Sequence, residues 1–264
     1  MYATRSRRVK TDKRDARTLA VALRLGAYRP AHRVSAARRH VRAELAVREA
    51  LVRTRTRWIA LAKALVRRDG LRVPSSTAAY VVERLTALPL SPTLASELAP
   101  LIAVLEPLNV QIDAADARIA ALGRTDPTVA LLMTAPSIGP VTGSGVVAIT
   151  DDIGRFPSAH QFEAYLGLVP GERSSGEKRR LGHITKAGNR RARYLLVEAA
   201  WRILRAKSDE TAVLRAWAQR ILLRRGKKIA AVALAGVLHA MWRDGRAYDA
   251  GRLRMPQPAA VRAA

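Results

Sequence analysis

Between Ser35 and Arg68 the apolar residues repeat at helical spacing, and this pattern constrains the fold more than any other in the chain. Val41, Leu45, Val52, Ile59 and Leu65 recur mostly at fours and sevens, with Leu51, Trp58 and Leu61 filling the stripe. A second segment, Thr93 to Leu122, places Leu94, Leu98, Leu101, Leu105, Leu108, Ile112 and Ile119 at threes, fours and sevens. Two such stripes in one chain predict a long helical hairpin or coiled coil, or an interface with a second subunit. Pro100 and Pro107 argue for a kinked or restarted helix in the second segment, because proline lacks the amide donor and its ring clashes with the preceding turn. Strand signals are weak throughout, so the expected fold class is mainly α.

The charge balance narrows the partner. Lys and Arg number 47 against 21 Asp and Glu, a net charge of +26. Self-repulsion on this scale destabilises a compact chain, and a polyanion relieves it. Nucleic acid is the first choice, with an anionic membrane surface second and arginine inflated by genome composition as the plain alternative. No cysteine is present, which excludes disulfides, thiolate metal sites and cysteine nucleophiles. No run of about 20 apolar residues suggests a membrane span, and no apolar stretch follows the basic N-terminus as in a signal peptide. The expected location is the cytoplasm, on nucleic acid. Arg38, Arg39, Arg42, Arg48, Arg53, Arg55 and Arg57 crowd the first long helix. They read either as a solvated basic face or as a face lying along phosphates, since the acidic complement of a coiled coil is mostly missing.

Ahead of the long segments, TDKRDARTLAVALRLG predicts a helix with Thr11 as N-cap, a Leu19/Ala22/Leu23 stripe and Gly26 at its end. Asp12 and Asp15 share a face of its first turn. Taken alone they suit the helix dipole, while their setting among Lys10, Lys13, Arg14 and Arg17 keeps open a pair of metal-binding carboxylates. Asp113 and Asp116 have the same spacing but read as structural, opposite the apolar stripe. The composition changes at Gly123 to Pro127, where a domain boundary is placed. Beyond it lie a short apolar helix and then PSIGPVTGSGVVAIT, resembling a helix-hairpin-helix with Gly139 and Gly143 in the hairpin. Such hairpins bind the DNA backbone through exposed amides beside glycine, though they also occur as plain connectors. Ser158 reads as the N-cap of the next helix, in which His160 and Glu163 lack the further ligands that a metal needs.

The most chemically suggestive stretch is LGLVPGERSSGEKRRLGHITKAGNRRARYLL, residues 166–196. Ser174 and Ser175 sit between Arg173 and the run Lys178, Arg179 and Arg180. Lys186 and Asn189 lead into a helix opened by Arg190, Arg191 and Arg193. Glycine admits a close phosphate, cations neutralise it, and a hydroxyl attacks phosphorus or donates to it. Cations at a helix N-terminus oppose its dipole, and an external phosphate would explain them. Trp201, Trp217 and Trp242 read as core residues of the C-terminal helices.

The stretch from GLVPGERSS to RYLLVEAA, together with LLMTAPSIGPVTGSGVVAITDDIGRFPSAHQFEAYLGL before it, resembles the C-terminal domain of insertion-sequence-110-type transposases, relatives of the pilin-gene DNA invertases. KTDKRDARTLA resembles the end of that family's RuvC-like nuclease domain. The resemblance implies RNA-guided DNA strand exchange. It makes Ser175, with Ser174 as the fallback, the nucleophile of a phosphoserine link, and Asp12 and Asp15 ligands of Mg²⁺ from a DEDD set. DNA, a structured guide RNA and further copies of the chain are the implied partners. Expected organisation is a RuvC-like remnant over 1–30, a helical coiled-coil region over 31–124, a transposase domain over 125–245 and a loose tail over 246–264. The family's first Asp and its Glu have no counterpart before Asp12, so the expectation is an N-terminally truncated enzyme. The competing expectation is a DNA- or RNA-binding module without chemistry.

Overall fold

A computed structural model describes residues 11–28, 30–172, 181–225 and 229–253. The described residues are mainly helical: ten α-helices, four short 3₁₀ turns and one two-stranded sheet. The chain divides into two compact units, residues 1–35 and 36–264.

The first unit contains α1, Asp12–Arg24. Thr11 caps it as expected, its hydroxyl accepting from the Arg14 amide. Gly26, at φ 61°, turns the chain just past the last turn, where its amide donates to the Leu23 carbonyl.

In the second unit, α2 (Ala36–Arg68) and α4 (Pro92–Thr125) form the hairpin that the two stripes predict. They are joined by a 3₁₀ turn and α3, Val81–Thr86. Antiparallel pairing is visible in the cross-links: Arg38 with Asp126, Arg118 with Glu44, Arg48 with Asp116, Arg55 with Asn109, and Arg68 with Glu97. Numbers rise along α2 as they fall along α4. At one end Ile59, Ala62, Val66, Val81, Val82, Leu85, Leu94, Leu98 and Leu105 make a core. Contrary to the proline argument, α4 continues through Pro100 and Pro107. Both prolines lie on its exposed side, as do Ser96 and Ala103 one turn earlier, so the carbonyls that lose an amide partner face water. The helix is long and apolar enough to span a membrane by length and composition. Its buried stripe and its charged cross-links are nevertheless directed to α2, as in a core helix.

Asp126 links this hairpin to the rest of the second unit. It ends α4 and caps α5 (Pro127–Met133), its carboxylate accepting from the Thr128 and Val129 amides. Next comes α6, Pro140–Thr150, buried continuously from Thr142 to Thr150. A helix apolar on every side belongs inside, and α6 packs against α2, α4, α5 and α8 (Arg190–Arg205) at once. Its small residues permit this. A Cβ on Gly143 would meet Val129 Cγ1 at 3.2 Å, and one on Gly145 would strike Leu195. Gly143, expected in the exposed hairpin, is therefore a buried packing residue inside α6. The C-terminus of α6 is held by side chains: Arg42 donates to the Ala148 and Ile149 carbonyls at 2.8 Å each, Tyr165 to Ile149 and Arg155 to Thr150.

The second core forms among α5, α6, α7 (Ala159–Tyr165), α8, α9 (Ala212–Arg225) and α10 (Ile229–Asp244). Ser158 caps α7 as expected. Trp201, Trp217 and Trp242 are all half-buried; Trp217 and Trp242 pack against this core, whereas Trp201 has the Arg205 guanidinium 5.3 Å over its ring.

Candidate nucleic-acid interface

Two short strands flank the Ser-Ser-Gly segment in the chain. Strand β1 (Pro170–Glu172) pairs antiparallel with β2 (Leu181–Ile184), Pro170 opposite Ile184 and Glu172 opposite Leu181. Strand propensity is poor here. The pairing is imposed from its base, where the Thr185 amide donates to the Val169 carbonyl at 2.8 Å and the Lys186 amide to Gly167 at 3.0 Å. Gly167, at φ 69°, and Gly188 cross backbone to backbone. A Cβ on Gly167 would lie 2.8 Å from the Ala187 nitrogen, and one on Gly188 would fall on the Tyr165 carbonyl oxygen. Arg173, Ser174, Ser175, Lys178, Arg179 and Arg180 belong to the segment joining the strands and lie outside the described residues.

From the hairpin the chain passes through exposed Lys186, at φ 55°, to Asn189. The Asn189 side chain caps α8, accepting from the Arg191 and Ala192 amides at 3.0 and 3.1 Å. The three cations of the first turns separate by direction. Arg191 turns inward, pairing with Glu49 at 2.8 Å and donating to the Leu45 carbonyl on α2. Burial lowers its pKa, opposed by Glu49. Arg193 donates to the Leu166 carbonyl, at the end of α7, at 2.9 Å. The expectation that an external phosphate explains these two is corrected: their partners are carbonyls and a carboxylate within the fold. Arg190 remains exposed. The same correction applies to much of α2, where Arg38, Arg42, Arg48 and Arg55 join α2 to α4, α5 and α6.

Gly139 is the N-cap of α6, with no side-chain cap there and open space where a Cβ would stand. The turn carrying it, residues 134–139, lines an open cleft of about 650 Å³ together with Met133, Arg202, Glu210 and Tyr248. The helix-turn-helix of α5 and α6 thus offers one half-buried glycine with open space beside it, Gly139, where two accessible glycines were expected.

Asp12 and Asp15 occupy the exposed first turn of α1, in the other unit. Their oxygens are the hard donors Mg²⁺ prefers. Among the described residues no group of three His, Cys, Asp or Glu forms a metal site. His160 and Glu163 are 4.0 Å apart and form only a weak pair.

Residues 129–214 match the family model described as the IS116/IS110/IS902 transposase family. The chain is 35% identical over 242 residues to a probable family 20 transposase of Pseudomonas aeruginosa, covering 86% of this chain and 70% of that protein. It is 29% identical over 231 residues to the transposase for insertion sequence element IS1111A of Coxiella burnetii, covering 86% of this chain and 64% of that one. A transposase for insertion sequence element IS1328 of Yersinia enterocolitica is 31% identical over 196 residues, with 73% and 58% covered.

Proposed function

Because the chain belongs to the IS116/IS110/IS902 transposase family, we propose that it cuts and rejoins DNA through a serine nucleophile, with Ser175 as the attacking residue and Ser174 as the alternative. The hydroxyl oxygen of Ser175 attacks a phosphodiester phosphorus. One ester oxygen leaves with its electron pair and takes up a proton, the serine proton passes to base, and a phosphoserine link holds the strand. Attack by a strand-end hydroxyl reverses the step and rejoins DNA. Lys178, Arg179 and Arg180 neutralise the phosphate around that serine, and Lys186 and Arg190 extend the cationic surface toward α8. Gly139, at the uncapped N-terminus of α6, contacts the backbone of duplex DNA.

The observation that carries this reading is the crossing of Gly167 and Gly188. It ties together the chain entering β1 and the chain leaving β2, between α7 and α8. A nucleophile requires such fixed ends, since misplacement by 1 Å costs about a hundredfold in rate.

Asp12 and Asp15 would supply two oxygen ligands for Mg²⁺. The ion, when bound, would neutralise charge on the phosphate. Two carboxylates fit the chemistry but fall short of an octahedral set. A structured guide RNA and further copies of the chain complete the proposed assembly, and the net charge of +26 supports the nucleic-acid partners.

Covalent trapping tests the reading. The chain is incubated with Mg²⁺, element-end DNA and the element's non-coding RNA, then denatured. A protein–DNA adduct that disappears in Ser175→Ala supports it. Salt-sensitive DNA binding without any adduct favours a binding module without chemistry.

A further inference from the structure

Residues Arg190, Tyr194, Val197, Trp201 and Arg205 follow one another along α8 at intervals of four, three, four and four, which places them on a single helix face. Most of that face points away from the core, while Val197 at its middle packs partly against it. Arg190 and Arg205 are exposed, Tyr194 is 61% exposed and Trp201 is half-buried. Among the described residues the Tyr194 hydroxyl makes no hydrogen bond, although a tyrosine at a structural position commonly uses it. The buried residues of α8, from Ala192 and Leu195 to Ala199 and Ile203, lie on the opposite side. The two rings are seven residues apart, about 10 Å along the axis. Arg190 stands one turn before the first ring and Arg205 one turn after the second. Glu198 lies at the margin of the stripe.

We infer that this face of α8 is a stacking platform for unpaired nucleotides: Tyr194 and Trp201 each take a base, and Arg190 and Arg205 take the flanking phosphates. The inference rests on the nucleic-acid reading above and names which part of the partner α8 receives. An aromatic ring stacks on any base, whereas a paired base presents no face to it. Rings interleaved with cations therefore select single strands over duplex. The Arg205 guanidinium over Trp201 holds the indole in place and leaves its charge beside the bound strand. Strand exchange opens duplexes, and a guide RNA has loops, so either DNA or RNA can supply the unpaired bases.

The test uses the full chain and fluorescently labelled 12-nucleotide oligo-dT, oligo-U and a duplex of equal length, read by anisotropy across a salt series. Tyr194→Ala should weaken binding to single strands about 5- to 150-fold and leave duplex binding within twofold. Tyr194→Phe should restore wild-type affinity, since the ring and not the hydroxyl acts. Tyr80→Ala, which removes another exposed tyrosine, should change nothing. Arg190→Gln should reduce the salt slope by about 0.7, as expected for one lost phosphate contact on a single strand. A preference for oligo-dT or oligo-U identifies the source of the bases. Wild-type single-strand binding by Tyr194→Ala, with duplex binding intact in all variants, overturns the platform and leaves the transposase reading standing. Failure of the wild-type chain to bind any nucleic acid overturns both.

Discussion

Gly167 and Gly188 meet backbone to backbone at the base of the β-hairpin, so closely that a Cβ on Gly188 would stand 2.7 Å from the Gly167 nitrogen. The two residues are 21 positions apart, and β1 and β2 both lie between them in the chain. Gly167 also needs its positive φ. Gly188→Ala should destabilise the protein by about 1–3 kcal/mol through overpacking against backbone that cannot move aside. Gly167→Ala adds the left-handed penalty and should cost about 2–5 kcal/mol. Urea denaturation measures both, and Gly139→Ala, where a Cβ meets open space, serves as the mild comparison.

Arg42 reaches from α2 to the last carbonyls of α6 with two hydrogen bonds of 2.8 Å. A cation at a helix C-terminus also complements the dipole. Arg42→Ala should cost roughly 1.5–3 kcal/mol. Arg42→Lys should recover only part of this, because an ammonium does not reproduce the two-pronged geometry. The denaturation midpoint should fall in that order.

Asp126 has two separable tasks, capping α5 and pairing with Arg38. Asp126→Asn keeps a capping oxygen and loses the charge. Asp126→Ala loses both and should cost at least about 1 kcal/mol more than Asp126→Asn. A double-mutant cycle of Asp126→Asn with Arg38→Gln should show a coupling energy of about 0.5–3 kcal/mol, as for other groups in direct contact.

Burial holds the Glu163 carboxyl above its ordinary value of 4.5, with His160 opposing the shift. The folded chain therefore binds this proton more tightly than the unfolded chain. Its contribution to stability is fully present below the unfolded value and is lost as pH rises through the raised folded value. Glu163→Gln should flatten that part of the stability profile and gain on the wild type as pH approaches neutrality. Urea midpoints across pH 4 to 8 check the sign.

The features legible in the sequence were those decided within a few residues. Thr11 and Ser158 cap their helices because a hydroxyl ahead of a helical run meets amides only three positions away. The leucines of the two long segments pair because their spacing makes one face of each helix apolar. The residues misread were those whose partners are remote. Arg191 and Arg193 look wrong at a helix N-terminus until α2 and the end of α7 supply Glu49 and two carbonyls. Pro100 and Pro107 look like breaks until it is known which side of α4 faces water. Gly143 looks like a turn residue until α5 closes over it. No local signal marked Arg42, and the outward stripe of α8 was hidden because Trp201 has the composition of a core residue.

By itself the sequence determined a mainly helical chain, its long hairpin, its caps, its large positive charge and its family likeness, because periodicity, capping and charge are properties of neighbouring residues. Only the tertiary structure decided which cations are consumed inside the protein and which remain on its surface. That choice depends on carbonyls and carboxylates 27 to 146 residues away along the chain, and a buried cation without such a partner would be too costly to keep. The same packing turned Arg190, Tyr194 and Arg205 outward.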